Sequence, residues 1–99
     1  MDINREIRQA VDTGKVILGS DKSVKSVKLG QAKLVILASN CPDAVRSDVE
    51  HYVKLANIPI HVYEGDSSAL GLACGKPFLV SVVAVLELGS SGILGLRGK

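Results

Sequence analysis

Val16-Ile17-Leu18-Gly19-Ser20-Asp21-Lys22-Ser23-Val24-Lys25-Ser26-Val27-Lys28-Leu29-Gly30 runs from a short apolar strand through Gly-Ser into a helix with a lysine at every third position. Two residues later, Lys33-Leu34-Val35-Ile36-Leu37-Ala38 returns as an aliphatic strand with no Pro or Gly. An unbroken apolar strand is one covered on both faces, so the helix between the two strands is read as a crossover lying over a sheet. The helix has two kinds of face. Lys22, Lys25 and Lys28 fall within one broad side, while Val24, Val27 and Leu29 are expected to turn toward a core.

The rest of the chain extends this alternation. Ile3, Ile7, Ala10 and Val11 predict a first helix over Asp2 to Thr13, with Asp2 to cap its start and Gly14 its end. Lys15 to Leu18 is the first strand, Gly19 to Leu29 the second helix and Lys33 to Ala38 the second strand. Asn40 or Cys41 is expected to cap a third helix with Pro42 at its first position, where a missing N–H does no harm. In that helix Val45, Val49, Tyr52, Val53 and Ala56 share a stripe, and Asn57 ends it. Ile60 to Tyr63 follows as a strand, with His61 alternating against Ile60 and Val62 and thus expected to face water. A short helix over Ser67 to Cys74 ends at Gly75, and Leu79 to Leu88 is the last strand. Ile93-Leu94-Gly95-Leu96 suits either an edge strand or a helical turn. Residues 1–99 thus read as one domain, a three-layer α/β/α sandwich with a mixed four-stranded sheet.

Composition narrows the function. Hydrophobic residues make up 46% of the 99-residue chain, enough for a folded core and too little chain for a second domain of any size. No apolar run approaches the roughly 18 residues of a membrane span, and the first residues do not resemble a signal peptide. Cys41 and Cys74 lie far apart, outside any Cys-x-x-Cys pair, which suits buried packing residues in a reducing compartment. The net charge of +2 hides an asymmetry: Gly14 to Lys33 has a local balance of +4, whereas Cys41 to Gly75 has −3. Such a chain can meet a polyanion through one edge.

The Gly19-Ser20 helix start fits that purpose, because first-turn N–H groups lack internal partners and lie at the positive end of the helix dipole. The same lysines also suit an ordinary solvated face. In sheets of this kind loops and helix starts gather at one edge, where Gly19-Ser20, Ser39-Asn40 and Lys76-Pro77-Phe78 could meet. Catalytic ingredients are sparse. Neither His51 nor His61 has a Cys, Asp or Glu at metal-ligand spacing. Gly71-Leu72-Ala73-Cys74-Gly75-Lys76-Pro77 is one residue short between its glycines for a phosphate loop and has Pro77 where the hydroxyl belongs. With three aromatic residues in all, the chain lacks a row of stacking platforms. Phe78, beside Lys76 and Pro77 in a loop, suits either an unstacked base or the start of the last strand.

Leu18 to Asn40, followed in matching order by Glu50-His51-Tyr52, Ala69-Leu70-Gly71, Gly75-Lys76-Pro77-Phe78 and Val80-Ser81-Val82-Val83-Ala84-Val85, resembles the archaeal and eukaryotic large-subunit ribosomal protein family called thirty-e. The similarity covers nearly the whole chain. It implies an α/β/α sandwich that binds ribosomal RNA at a kink-turn, an internal loop whose sheared G·A pairs bend the helix sharply. It implies no enzymatic activity, cofactor or metal. Neighbouring large-subunit proteins would be its other partners, in the cytoplasm at the ribosome, and the protein would be a monomer when free.

Carried over by position, Gly19, Ser20 and Lys22 would lie against the G·A pairs and backbone, with Lys25 beside phosphate and Lys33 near the RNA edge. Asn40 would reach a guanine edge, Arg46 the backbone, and Phe78 with Val80 would cover an extruded base; Lys76 lies close to the same basic edge. Asp21 stands where ribosomal relatives often place a basic residue, and as an acid it can accept from guanine N–H groups. A kink-turn protein of another small ribonucleoprotein, or a termination factor, is the related alternative. A small-molecule-binding α/β domain at the same sheet edge is the alternative from another class.

Overall fold

Four helices and four strands alternate along residues 2–92, the part of the chain that the computed structural model describes. They are α1 (Ile3–Thr13), β1 (Lys15–Leu18), α2 (Ser20–Lys28), β2 (Leu34–Leu37), α3 (Asp43–Ala56), β3 (Ile60–Val62), α4 (Ser67–Ala73) and β4 (Val82–Glu87). The sheet order is β1-β4-β2-β3, with β4 antiparallel to both neighbours and β3 parallel to β2. The sheet is therefore mixed, as expected. The Ile93 to Leu96 segment lies outside the described residues.

Leu34, Val35, Ile36 and Leu37 are all fully buried, which is why β2 reads as an unbroken aliphatic run. Leu34 and Ile36 face one core with Ile7 and Ala10 of α1 and Leu70 of α4. Val35 and Leu37 face the other core with Val27 of α2 and with Val49 and Val53 of α3. Two separate cores, one on each face of the sheet, make the three layers.

Several local readings are corrected by packing. In α2 the residues beneath the helix are Ser23, Ser26 and Val27, whereas Leu29 follows the last helical residue and is 61% exposed. The two small serines are satisfied in place: Ser23 Oγ donates to the Ile17 carbonyl at 3.3 Å and Ser26 Oγ to the Ser23 carbonyl at 2.7 Å. Lys22, Lys25 and Lys28 are exposed, as their spacing predicts. In α3, Pro42 is the N-cap rather than the first helical residue, and Ala56 is exposed. His61 alternates as predicted but with the opposite sense. It pairs in register with Ile36, faces the α1 and α4 layer and is buried, while Val62 is exposed. Alternation separates the two faces of a strand without saying which one is covered. β4 begins at Val82, because Phe78 and Leu79 are exposed and the chain joins the ladder only after Ser81.

All four helices begin at the same end of the sheet. β1, β2 and β3 finish there and lead into α2, α3 and α4. α1 runs toward the start of β1 and so begins there too, where the Tyr63 hydroxyl hydrogen-bonds Asn4 Oδ1. Asp2 caps α1 by accepting from the Arg5 N–H at 3.2 Å, and Asp66 caps α4 by accepting from the Ala69 N–H at 2.9 Å. The N-caps of α2 and α3, Gly19 and Pro42, provide no side-chain bond.

Cys41 and Cys74 are both buried free thiols. Burial pushes the Cys74 thiol up to about 11 from 9.0, against the weaker opposite pull of Lys76. In the native protein at pH 8, Cys74 should therefore resist iodoacetamide and react once urea unfolds the chain. The same preference for the neutral thiol supports the fold fully below pH 9.0, and urea midpoints should fall as pH rises from there toward about 11.

Candidate nucleic-acid interface

At the end of the sheet where the helices begin, the start of α2, the loop after β2 and the segment before β4 are held together by backbone hydrogen bonds. The Gly19 N–H donates to the Val82 carbonyl at 3.0 Å and the Ala38 N–H to the Ser81 carbonyl at 2.9 Å. The Val80 N–H donates to the Ser67 carbonyl at 3.1 Å, tying the same segment to the start of α4. Residues 80–82 thus thread between the starts of α2 and α4, and the geometry of the edge follows from sheet register rather than from loop flexibility.

Gly19 has φ 116° and ψ 154°, a backbone region open essentially to glycine alone. A Cβ at this position would meet nothing within 4 Å. The glycine is therefore required for conformation, and the space outside it is open to an approaching backbone. The first internal hydrogen bond of α2 is Ser23 N–H to Gly19 O at 3.2 Å. The N–H groups of Ser20, Asp21 and Lys22 precede it and lie at the positive end of the helix dipole.

Asn40 does not cap α3. Its Oδ1 accepts from the Ser67 N–H at 2.8 Å and its Nδ2 donates to Ser67 Oγ at 3.4 Å, so both ends of its amide are held by the start of α4. Asn40 is nonetheless exposed, and its amide is fixed in orientation with donor and acceptor capacity left over. Ser67 was not legible as a site residue. An Asp-Ser helix start is visible in the sequence, but its partner 27 residues away is not.

Phe78 is 54% exposed beside Asn40's partner helix, and Leu79, expected only as the start of the last strand, is 70% exposed. The segment lies close to α4 because Gly71 has no side chain: a Cβ there would stand 2.1 Å from the Phe78 carbonyl oxygen. Val80 corrects an expectation. It is 2% exposed and packs in the α1 and α4 core, so its side chain is not available to a base. Phe78 and Val80 would share a face only on an extended strand, and the ladder begins at Val82.

Ser20, Asp21, Lys25 and, at its far end, Lys28 line a groove of about 370 Å³ between α2 and α3, with Val45 and Asp48 opposite. Arg46 sits in the first turns of α3, its Nε buried without a hydrogen-bond partner among the described residues and 3.9 Å from the Glu50 carboxylate. Its charge partly offsets the burial that pushes the neighbouring Cys41 thiol up. Two expected members lie elsewhere. Lys33 precedes β2, and its N–H donates to the Val85 carbonyl, at the opposite end of the ladder from Asn40. Lys76 flanks the far end of α4, its N–H bonded to the Gly71 carbonyl. The resemblance put Lys33 near the RNA edge and the Lys76-Pro77-Phe78 loop suggested Lys76, and the directions of β2 and α4 carry them away.

Gly19→Ala is expected to cost about 1–3 kcal/mol of stability through backbone strain alone. Gly71→Ala should cost a similar amount, about 1–3 kcal/mol, by pushing residues 78–80 off α4. Urea denaturation would read both. In the second variant, Phe78 amide and ring NMR shifts should move while those at Gly19 stay in place.

A scan against family models matches residues 1–95 to the "Ribosomal protein L7Ae/L30e/S12e/Gadd45 family". Among similar curated proteins are large ribosomal subunit proteins eL30. The one from Methanosphaera stadtmanae is 53% identical over 98% of this chain and 99% of its own length. The Methanothermobacter thermautotrophicus protein is 51% identical over 99% of this chain and 100% of its own. The Methanocaldococcus jannaschii protein is 52% identical over 100% of this chain and 90% of its own. A solved structure of a Bacillus halodurans protein of unknown function superposes with a TM-score of 0.79 at 27% identity, over 86% of this chain and 84% of that one.

Proposed function

This chain belongs to the ribosomal protein L7Ae/L30e/S12e/Gadd45 family, and from that membership we propose that it binds ribosomal RNA at a kink-turn through the edge where its helices begin. It is a structural, non-catalytic protein of the large ribosomal subunit, as its relatives of about half identical sequence are. The observation that carries the RNA reading is the open start of α2. Its first N–H groups have no side-chain cap, Gly19 leaves the space outside it clear, and the neighbouring Asn40 amide is fixed by Ser67.

Each part has a chemical task in this reading. Lys22, Lys25 and Arg46 neutralise phosphates and set register, which carries no sequence information. Ser20, the α2 N–H groups and Asn40 present donors and acceptors to base edges that a kink-turn exposes at its bend. The exposed Asp21 accepts from guanine N–H groups and sits favourably in the first helical turn. Phe78, with Leu79, offers an apolar cover for a base turned out of the stack.

The test is binding to a short RNA containing a kink-turn, beside the same RNA with its G·A pairs replaced by Watson–Crick pairs, across a salt series. A strong preference for the bent RNA is expected, with a salt dependence set by a few phosphate contacts. Equal, steeply salt-dependent binding to both RNAs would leave a cationic surface without shape recognition. Asn40→Ala should lower affinity for the bent RNA more than for plain duplex. Its loss of both side-chain bonds to Ser67 costs about 1–3 kcal/mol, too little to unfold the domain. Equal losses on both RNAs would remove Asn40 from the site. Preference for the kink-turn of another small ribonucleoprotein over a ribosomal one would favour the related alternative.

A further inference from the structure

The lysines of the Gly14 to Lys33 segment do not stay together. Lys22 and Lys25 lie toward the candidate interface, but Lys15, Lys28 and Lys33 are carried to the other end of the sheet, where Lys54 near the end of α3 joins them. We propose that this opposite end is a second RNA contact, which holds the phosphodiester backbone of a separate RNA segment while the first edge holds the kink-turn. The inference rests on the RNA-binding reading above and extends it to a protein that joins two RNA segments.

The placement is set by the backbone. Lys15 pairs in register with Glu87 on one side of β4, and Lys33 donates its N–H to Val85 on the other side. Their backbones are thus about two strand spacings, or about 10 Å, apart. α2 ends at Lys28 and a short loop leads from it to the start of β2 at Leu34, while the segment that follows α3 meets the same strand through Val35 N–H to the Pro59 carbonyl. Lys28 and Lys54 therefore flank the same end. All four lysines are exposed, and none forms an ion pair among the described residues. Of the acids near these lysines, Asp12 is engaged by Arg8 at 3.0 Å, Glu87 stands in register beside Lys15, and Asp48 shares the groove between α2 and α3 with Lys28, which leaves Lys33 and Lys54 as the lysines without an acid so placed.

Helix dipoles account for part of this charge and not for the rest. Lys28 and Lys54 lie in the last turns of their helices, where a cation is favourable. Lys15 and Lys33 are on or beside strands, which have no comparable dipole. They cannot serve the first edge either. From Lys33 to Ala38 the extended chain rises about 17 Å, twice the screening length of about 8 Å at physiological ionic strength. A patch of strand-end lysines that is too far from one RNA to be felt by it is suited to the phosphates of another.

The test uses Lys15→Gln/Lys33→Gln/Lys54→Gln, leaving Lys28 because its ammonium lies 4.7 Å from the Tyr52 ring centre. Fluorescence anisotropy follows a labelled plain RNA duplex added to free protein and to protein whose first edge is saturated by one equivalent of unlabelled kink-turn RNA, so that no excess of its helical stems competes for the second site. The saturated wild type should still bind the duplex. The triple variant should bind it about tenfold or more weakly, with a salt slope lower by about 2–3, while its kink-turn affinity changes less than twofold. Failure of the one-to-one kink-turn complex to bind the duplex would mean a single site and overturn the proposal. Equal duplex binding by variant and wild type would overturn it, as would absence of duplex binding by the wild type, the result expected if this end instead met protein. If the wild type shows no kink-turn preference, the reading of the first edge fails, and the free-protein duplex arm still decides the second.

Discussion

The common direction of the four helices is the constraint on which the rest of the molecule depends. Three strands finish at one end of the sheet and each feeds a helix, and α1 packs so that it starts there as well. Twelve or so backbone N–H groups without internal partners are thereby gathered at one end, along with the positive ends of four dipoles. Two of these ends are closed by the chain's own carboxylates, Asp2 and Asp66. Those of α2 and α3 are left without a side-chain cap. The open pair flanks Asn40, so the fold supplies its strongest unclaimed donors beside an amide that Ser67 holds at both ends.

Recognition of a bent RNA by shape needs a surface that does not have to be ordered on binding. The segment before β4 supplies it, because Val80, Ser81 and Val82 each accept or donate a backbone bond to a different neighbouring element. A partner meets a ready-made contour and little conformational entropy is lost in forming it. Gly71 and Gly19 serve the same end in different ways. The first allows a close approach of α4 to residues 78–80, and the second allows a backbone angle at the turn into α2.

Charge follows a separate logic. Asp2, Asp21, Asp43 and Asp66 sit at helix starts, while Lys28 and Lys54 sit at helix ends, each favourable to its own dipole. As a result the candidate interface is mixed in sign and the far end is predominantly cationic. An RNA at the first edge is therefore held by donors and shape as much as by net charge, whereas the far end offers charge alone.

Much of the fold was legible along the chain. The four buried residues of β2 announce a strand covered on both faces, and Asn57 and Gly75 mark helix ends through their left-handed backbone, whereas Gly14 marks one where a Cβ would stand 2.1 Å from the Glu87 carbonyl oxygen. The strand-Gly-Ser-helix pattern also announced Gly19 to Lys22, since a helix start and its open N–H groups are local features. Residues whose role depends on what lies across from them were not legible. His61 turned inward, Val80 became core, Leu29 and Leu79 stayed exposed, and Asn40 found Ser67 instead of the helix after it. Lys33 and Lys76 were carried away from the edge by strand and helix direction, which no local pattern encodes. The sequence by itself determined the elements, the Asp2 cap of α1 and the exposed lysine side of α2, because these rest on interactions within a few residues. Only the tertiary structure decided which loops meet, which face of β3 is covered and which end each lysine serves, because these follow from strand order and register between distant segments.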